Sequence, residues 1–110
     1  YMAKEYILMK NSDENGKVAL NKNVFGSIVQ ISMDDVEGLL KEEDNRFHNP
    51  ITVKIEDNKL MISVEVKVQY GSKVNQICEN LQHKVYDNIL LMTNIKCSQI
   101  EIKVTGFEFA

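Results

Sequence analysis

SKVNQICENLQHKVYDNILLMT, residues 72–93, is the stretch of sequence that decides the fold of this chain. Its apolar residues recur at steps of three and four, which places them on one side of an α-helix. These residues are Val74, Ile77, Cys78, Leu81, Val85, Ile89 and Met92. Ser72 is suited to cap the start of the helix, and Asn94 is suited to end it in a left-handed conformation. The sequence therefore predicts a helix of about 22 residues, roughly 33 Å long, with one buried side.

The length and composition of the chain are typical of one globular domain. With 110 residues, of which 44% are hydrophobic and 26% charged, the chain can bury a core without disulfides. We interpret residues 1–110 as a single domain and Tyr1, which precedes Met2, as the remnant of an expression tag. Cys78 belongs to the apolar side of the long helix, and the role of Cys97 stays open. Two cysteines without a disulfide framework are typical of a reducing cytoplasm.

The charge pattern argues against nucleic acid and membrane lipid as direct partners. The net charge is −3, Arg46 is the only arginine, and lysines alternate with acidic residues along the chain. A nucleic-acid binder usually has a clustered basic surface, so we predict that no nucleic acid is bound. No apolar run is long enough to span a bilayer, and no secretory signal is present. We therefore expect no direct insertion into a membrane.

Strict alternation of apolar and polar residues identifies the main strands. Residues 51–56 and 60–69 alternate on either side of an Asp-Asn turn, which predicts a hairpin with one buried and one solvent-facing side. The solvent-facing side carries no aromatic residue on which a base of single-stranded RNA would stack. Residues 100–105 predict a last strand. The alternation shifts at Gly106 and places Phe107 and Phe109 out of phase, which indicates either a β-bulge or the end of the strand.

The first third of the chain predicts two short strands and a helix. The strands are expected at residues 3–10 and 17–20, and Asn21 is suited to cap the helix. Its apolar side comprises Val24, Phe25, Ile28, Val29, Ser32, Met33 and Val36. Two apolar pairs four residues apart favour a helix over a strand, although Gly26 lowers its stability by roughly 1 kcal/mol. Gly38 is the natural position for a positive φ at its end.

Together these elements predict an α+β fold. We expect an antiparallel sheet of about four to five strands with two helices on one face. The element order is β-α-β-β-α-β, with an additional strand at the N-terminus. This order permits a ferredoxin-like topology, but the order of the strands in space does not follow from the sequence.

The stretch NSDENG, residues 11–16, resembles the first half of a calcium-binding loop. The last position of such a loop requires a glutamate that supplies two carboxylate oxygens, but Lys22 occupies it here. In addition, no helix precedes the loop. A solvated turn between two strands explains the same residues, and we favour it. We therefore predict no metal site.

Few other residues have the types and spacing of a catalytic site. Glu79 and His83 are four residues apart on the long helix, where a surface pair is the favoured interpretation. His48 has no candidate partner in the sequence. Tyr70 and Gly71 are interpreted as an aromatic residue covering the start of the helix and a tight turn. We thus predict no catalytic and no cofactor-binding residues, no cofactor, and no enzymatic activity.

Three phrases, taken in order, resemble one protein family. They are GKVALNKNVFGSIVQISMDDVEGLL, residues 16–40; ISVEVKVQYG, residues 62–71; and NQICENLQHKVYDNILLMTNIKCSQIEIKVTGF, residues 75–107. This family is the alkaline shock protein family, also described as envelope stress response proteins of Gram-positive bacteria. The resemblance covers about residues 16–107. The Tyr-Gly pair and Gln82 make the set specific, whereas Asn94 replaces an expected glycine and Leu39 an expected valine.

The resemblance implies a non-enzymatic, cytoplasmic stress-response protein that acts as a scaffold through contacts with other proteins. It also implies a membrane-anchored tether as one partner and a tendency to form homo-oligomers. The alternative is a small regulatory module that binds and modulates an enzyme or a metabolite, which rests on fold analogy alone. A ligand-binding module should contain a concave pocket with converging polar groups, whereas a scaffold should expose an apolar or charge-complementary surface.

Overall fold

The computed structural model describes residues 5–9, 16–41 and 49–109. The elements in chain order are β1 (Tyr6–Leu8), β2 (Ala19–Asn21), α1 (Lys22–Asp34), β3 (Leu39–Lys41), β4 (Ile51–Glu56), β5 (Lys59–Gln69), α2 (Val74–Thr93) and β6 (Gln99–Glu108). The predicted α+β class with two helices is confirmed, and the strands form a ladder of two and a sheet of four. The predicted calcium-like turn and His48 lie outside the described residues, except for Gly16.

The hairpin of β4 and β5 forms as predicted. Its antiparallel register runs from Ile51 opposite Val64 to Glu56 opposite Lys59. Asp57 and its neighbour Asn58 both have positive φ, at 52° and 58°. Two such residues give a turn whose twist matches that of the strands, and Asp and Asn tolerate this conformation.

β5 is the central strand of the sheet. β6 pairs with one edge of β5 over almost its whole length, in parallel. β3 and β4 both pair antiparallel with segments of β5 that also bond to β6, so β3 and β4 must share the opposite edge. The predicted antiparallel pairing thus holds for β4, and β3 is a further antiparallel strand that the sequence did not predict. In contrast, α2 returns the chain so that β6 runs parallel to β5. Because no strand separates β5 from β6, the sheet does not have the split β-α-β arrangement of a ferredoxin-like fold.

β1 and β2 pair with each other and not with the four-stranded sheet. Asn58, in the hairpin turn, connects them to it: its Oδ1 accepts a hydrogen bond from the N–H of Leu8 at 2.9 Å, and its Nδ2 donates to the oxygen of Leu8 at 3.2 Å. The side-chain amide of Asn58 thus forms two hydrogen bonds with the backbone of Leu8, as a paired strand would.

The buried side of α2 differs from the prediction at its end. The buried residues are Ile77, Leu81, Val85, Ile89 and Thr93. Met92 is 59% exposed, so the prediction that it belongs to the core was wrong. Steps of four carry the buried side to Thr93 instead, and its hydroxyl donates to the oxygen of Ile89 at 2.6 Å.

The predicted caps of α2 were right at one end and wrong at the other. The residue before the helix is Lys73, which makes no side-chain capping bond, so Ser72 does not cap it. Asn94 has φ 61° and donates its N–H to the oxygen of Leu90 at 2.8 Å, which confirms the left-handed end.

α1 begins at its predicted cap, since the side chain of Asn21 accepts a hydrogen bond from the N–H of Asn23 at 2.8 Å. Its buried residues are Phe25, Ile28, Val29, Ser32 and Met33. Val24 was expected among them but is 39% exposed. The two helices contact each other through Asn88 of α2, whose Nδ2 donates to the hydroxyl of Ser32 at 2.9 Å.

The core lies between the two helices and one face of the sheet. Every second residue of β5, from Leu60 to Val68, is buried on that face. Among the described elements, neither helix covers the opposite face, where the residues of β5 from Met61 to Lys67 are only partly buried. The predicted division of the hairpin into a buried and a solvent-facing side is therefore confirmed.

Candidate protein-contact site

Three exposed aromatic side chains lie together where β5 and β6 end. Tyr70, Phe107 and Phe109 are 63%, 54% and 78% exposed, and we call them the aromatic cluster. The rings of Tyr70 and Phe109 are 4.5 Å apart between centroids and tilted by 32°. This is the distance of a direct aromatic contact. The ring of Tyr70 thus contacts the residue that follows β6, a contact that the sequence did not predict.

A β-bulge in β6 sets the positions of the two phenylalanines. Val104 lies opposite Val66, but Gly106 lies opposite Lys67, so one residue, Thr105, is additional. This confirms the bulge indicated by the shift in the sequence pattern. The hydroxyl of Thr105 donates a hydrogen bond to the backbone oxygen of Val66 at 3.2 Å. Because of the extra residue, Phe107 lies opposite Val68 and not opposite a residue of the polar face.

The chain before α2 holds Tyr70 in place. The N–H of Tyr70 donates to the oxygen of Glu108 at 2.7 Å, which continues the pairing of β5 with β6 past the end of the strand. Gly71 then turns the chain toward α2 with φ 89°, a conformation that an L side chain rarely adopts. The Tyr-Gly pair therefore fixes the direction in which the aromatic ring leaves the sheet.

Charged residues cover the polar face of the sheet, which is the face opposite the aromatic cluster. The Nζ of Lys67 lies 3.4 Å from a carboxylate oxygen of Glu108 where β5 and β6 end. Further along the same face, the Nζ of Lys54 lies 3.5 Å from Glu56 and that of Lys103 lies 3.3 Å from Glu101. These pairs are partly exposed and add little stability. Because the charges alternate in sign, the face creates no strong field for an anion such as nucleic acid.

α2 carries three polar residues that stood out in the sequence, Glu79, Gln82 and His83. Glu79 and His83 are both exposed, in keeping with a surface pair. Gln82, the central residue of the third family-like phrase, donates its Nε2 to the oxygen of Ile100 at 3.2 Å. Its function in the fold is thus to connect α2 to β6.

The two cysteines are protected thiols. Cys97 is 9% exposed, with its Sγ 3.2 Å from the oxygen of Gln99 and 3.5 Å from that of Leu60. Burial raises the pKa of Cys97, and a hydrogen bond with the backbone of Gln99 offsets part of that rise. Burial also raises the pKa of the half-buried Cys78. Neither environment stabilises the thiolate that a nucleophile or a metal ligand requires.

The described part of the chain has surface grooves, which we examined as candidate metal and ligand sites. Among the described residues, no three His, Cys, Asp or Glu side chains approach closely enough to hold a metal ion. The groove between the end of α1 and α2 is open to solvent and is lined by Asp35, Glu37, His83, Lys84 and Asp87 among others. Neither described helix combines the length and apolar character that a membrane crossing requires.

The sequence indicated the bulge but not the surface that it creates. Phe107 and Phe109 resume the apolar alternation one residue out of phase after Gly106, and such a pattern normally predicts burial. The available signal was the pair of aromatic residues that follows the phase shift at Gly106. Only the three-dimensional arrangement shows that Tyr70, far away in sequence, joins them.

Comparison with known proteins places this architecture in a family. Comparison with the curated proteins finds no match. The sequence pattern of one family, described as having a cell envelope-related function, matches residues 10–109. The match covers nearly the whole chain, including both helices and the four-stranded sheet. The chain belongs to the alkaline shock protein family of cell envelope-related function.

Proposed function

We propose that this protein is a non-enzymatic scaffold of the envelope stress response that works through contacts with other proteins. The observation that carries the proposal is the aromatic cluster, whose three side chains are each more than half exposed. Aromatic residues are enriched at the centres of protein interfaces, where they bury a large area at a small cost in entropy.

The partner of the aromatic cluster is, in this proposal, a membrane-anchored protein that holds the chain at the envelope from the cytoplasmic side. The family description supports an envelope-related role. The chain itself has a net charge of −3, which opposes adsorption to anionic lipid. Location at the envelope would then depend on a protein tether and not on lipid.

A capture experiment from native cells tests the contact. Tagged protein at its natural level should retain a partner with a membrane-spanning segment, and Phe109→Ser should lose it. Leu91→Ser is the matched control, because Leu91 is 83% exposed but lies on α2, outside the aromatic cluster. Equal capture by all three proteins would refute the role of the aromatic cluster.

Flotation with vesicles separates a protein tether from direct lipid binding. The pure protein should remain at the bottom of the gradient with anionic vesicles that contain no protein. It should float when the vesicles carry a membrane extract from the source cell, and Phe109→Ser should not. Strong flotation of the pure protein with protein-free vesicles would refute the proposed tether.

A further inference from the structure

One edge of β6 is not paired with any strand that the structure describes. In the part of the chain that the structure describes, β5 is the only strand that pairs with β6, a strand of ten residues. An open edge of this length presents backbone donors and acceptors to another strand, which makes it a natural place for strand addition.

The direction of the backbone groups identifies the residues that face this edge. The N–H of Ser98 donates to the oxygen of Leu60 on β5 at 2.8 Å. Successive residues of a strand direct their backbone groups to opposite edges, so Glu101 and Lys103 direct theirs away from β5. Their side chains are on the polar face and are 49% and 58% exposed.

The sequence of β6 is nearly symmetric about Ile102. When an antiparallel copy is placed opposite with Ile102 facing Ile102, Ile100 faces Val104 and Glu101 faces Lys103. Apolar residues then meet on one face, and opposite charges meet twice on the other. If the centre moves by one residue, Glu101 faces Glu101 or Lys103 faces Lys103. Charge complementarity therefore selects the register centred on Ile102.

We propose that β6 pairs with β6 of a second copy of this chain, antiparallel and centred on Ile102. The backbone groups of Glu101 on one copy exchange hydrogen bonds with those of Lys103 on the other. Residues of the same face meet, so the two sheets join into one and both helix layers lie on the same side. This interface uses the side edge of β6 and does not depend on the aromatic cluster or on a membrane-anchored partner.

A charge exchange tests the register. Sedimentation over a range of protein concentrations should show a dimer of the unmodified chain. Glu101→Lys alone or Lys103→Glu alone places like charges opposite each other twice and should weaken the dimer about tenfold or more. The double variant restores opposite charges and should restore the dimer. Lys54→Glu, on β4 at the other side of the sheet, should leave the dimer unchanged. A monomer at all concentrations, or single variants that associate as the unmodified chain does, would overturn the proposal.

Engineered disulfides give an independent readout of the same geometry. Ile102→Cys would face its own copy in a pair without hydrogen bonds, with Cα atoms roughly 4.5 Å apart, close enough for a disulfide. Val104→Cys is the matched control, because the two copies of this position would be separated by roughly 13 Å. Oxidation with diamide should cross-link the Ile102→Cys protein only, and the unmodified chain gives the background of Cys78 and Cys97. Cross-linking of both variants, or of neither, would contradict this register.

Discussion

The replacement of Leu81 by Ala tests whether α2 carries the core. The side chain of Leu81 is fully buried at the middle of the helix. Three carbon atoms leave the core, which removes about 2.4 kcal/mol of transfer free energy at roughly 0.8 kcal/mol each. If a cavity of about 40 Å³ remains after the neighbouring side chains relax, it adds about 1 kcal/mol to the loss of stability. We therefore expect Leu81→Ala to lower the free energy of unfolding by about 3–4 kcal/mol.

Leu91 provides a control with the same substitution in the same helix. Its side chain is 83% exposed, so Leu91→Ala should change the free energy of unfolding by no more than about 0.5 kcal/mol. Both variants keep the helix propensity comparable, since Ala and Leu are both good helix formers. Urea denaturation followed by circular dichroism measures the two free energies. Equal losses in the two variants, or a loss below about 1 kcal/mol for Leu81→Ala, would refute the assignment of the buried side.

Three further predictions concern two glycines, Cys97 and the binding of nucleic acid. Gly38→Ala should lower the thermal midpoint, because φ is 83° and an added Cβ would lie 2.8 Å from the Cδ1 of Ile77, whereas Gly26→Ala, with open space around it, should raise stability by up to about 1 kcal/mol. Burial raises the pKa of Cys97 above that of a thiol in the unfolded chain. The stability that this bound proton contributes is present at neutral pH and is lost as the pH rises past the ordinary thiol pKa and through the raised one. Between neutral and alkaline pH, the urea midpoint should therefore fall less for Cys97→Ala than for the unmodified chain. The purified protein should bind neither DNA nor RNA tightly at physiological salt, and a fluorescence titration showing sub-micromolar binding with steep salt dependence would contradict this.

The elements that follow from the sequence are those with a local cause. The alternation of residues 60–69 and the Asp-Asn turn before them specify a hairpin without reference to the rest of the chain. Asn94 ends its helix because its own backbone tolerates a positive φ. The apolar steps of α2 identify Leu81, Val85 and Ile89 equally well, since successive steps of four keep them on one side of a helix.

The features that did not follow from the sequence depend on distant partners. Met92 and Thr93 are equally compatible with the end of a helical stripe, and packing decides that Thr93 is buried. The parallel pairing of β6 with β5 depends on the path of α2 over the sheet, which no local pattern records. The aromatic cluster was missed for the same reason, because Tyr70 and Phe109 meet only across the sheet.

The shared edge of β5 has a consequence for how this chain can vary in length. Lys41 lies opposite Val66, and the oxygen of Pro50 already accepts a hydrogen bond from the N–H of Glu65 at 2.8 Å. Lys41 and Pro50 therefore occupy neighbouring positions along β5, although a segment of eight residues separates them in the sequence. The cost of closing a loop grows only slowly with its length, so shortening, extending or replacing this segment should leave the register of the sheet unchanged. Removing all eight residues would join Lys41 directly to Pro50, on an edge strand where proline is tolerated, and would yield a smaller protein with the same core.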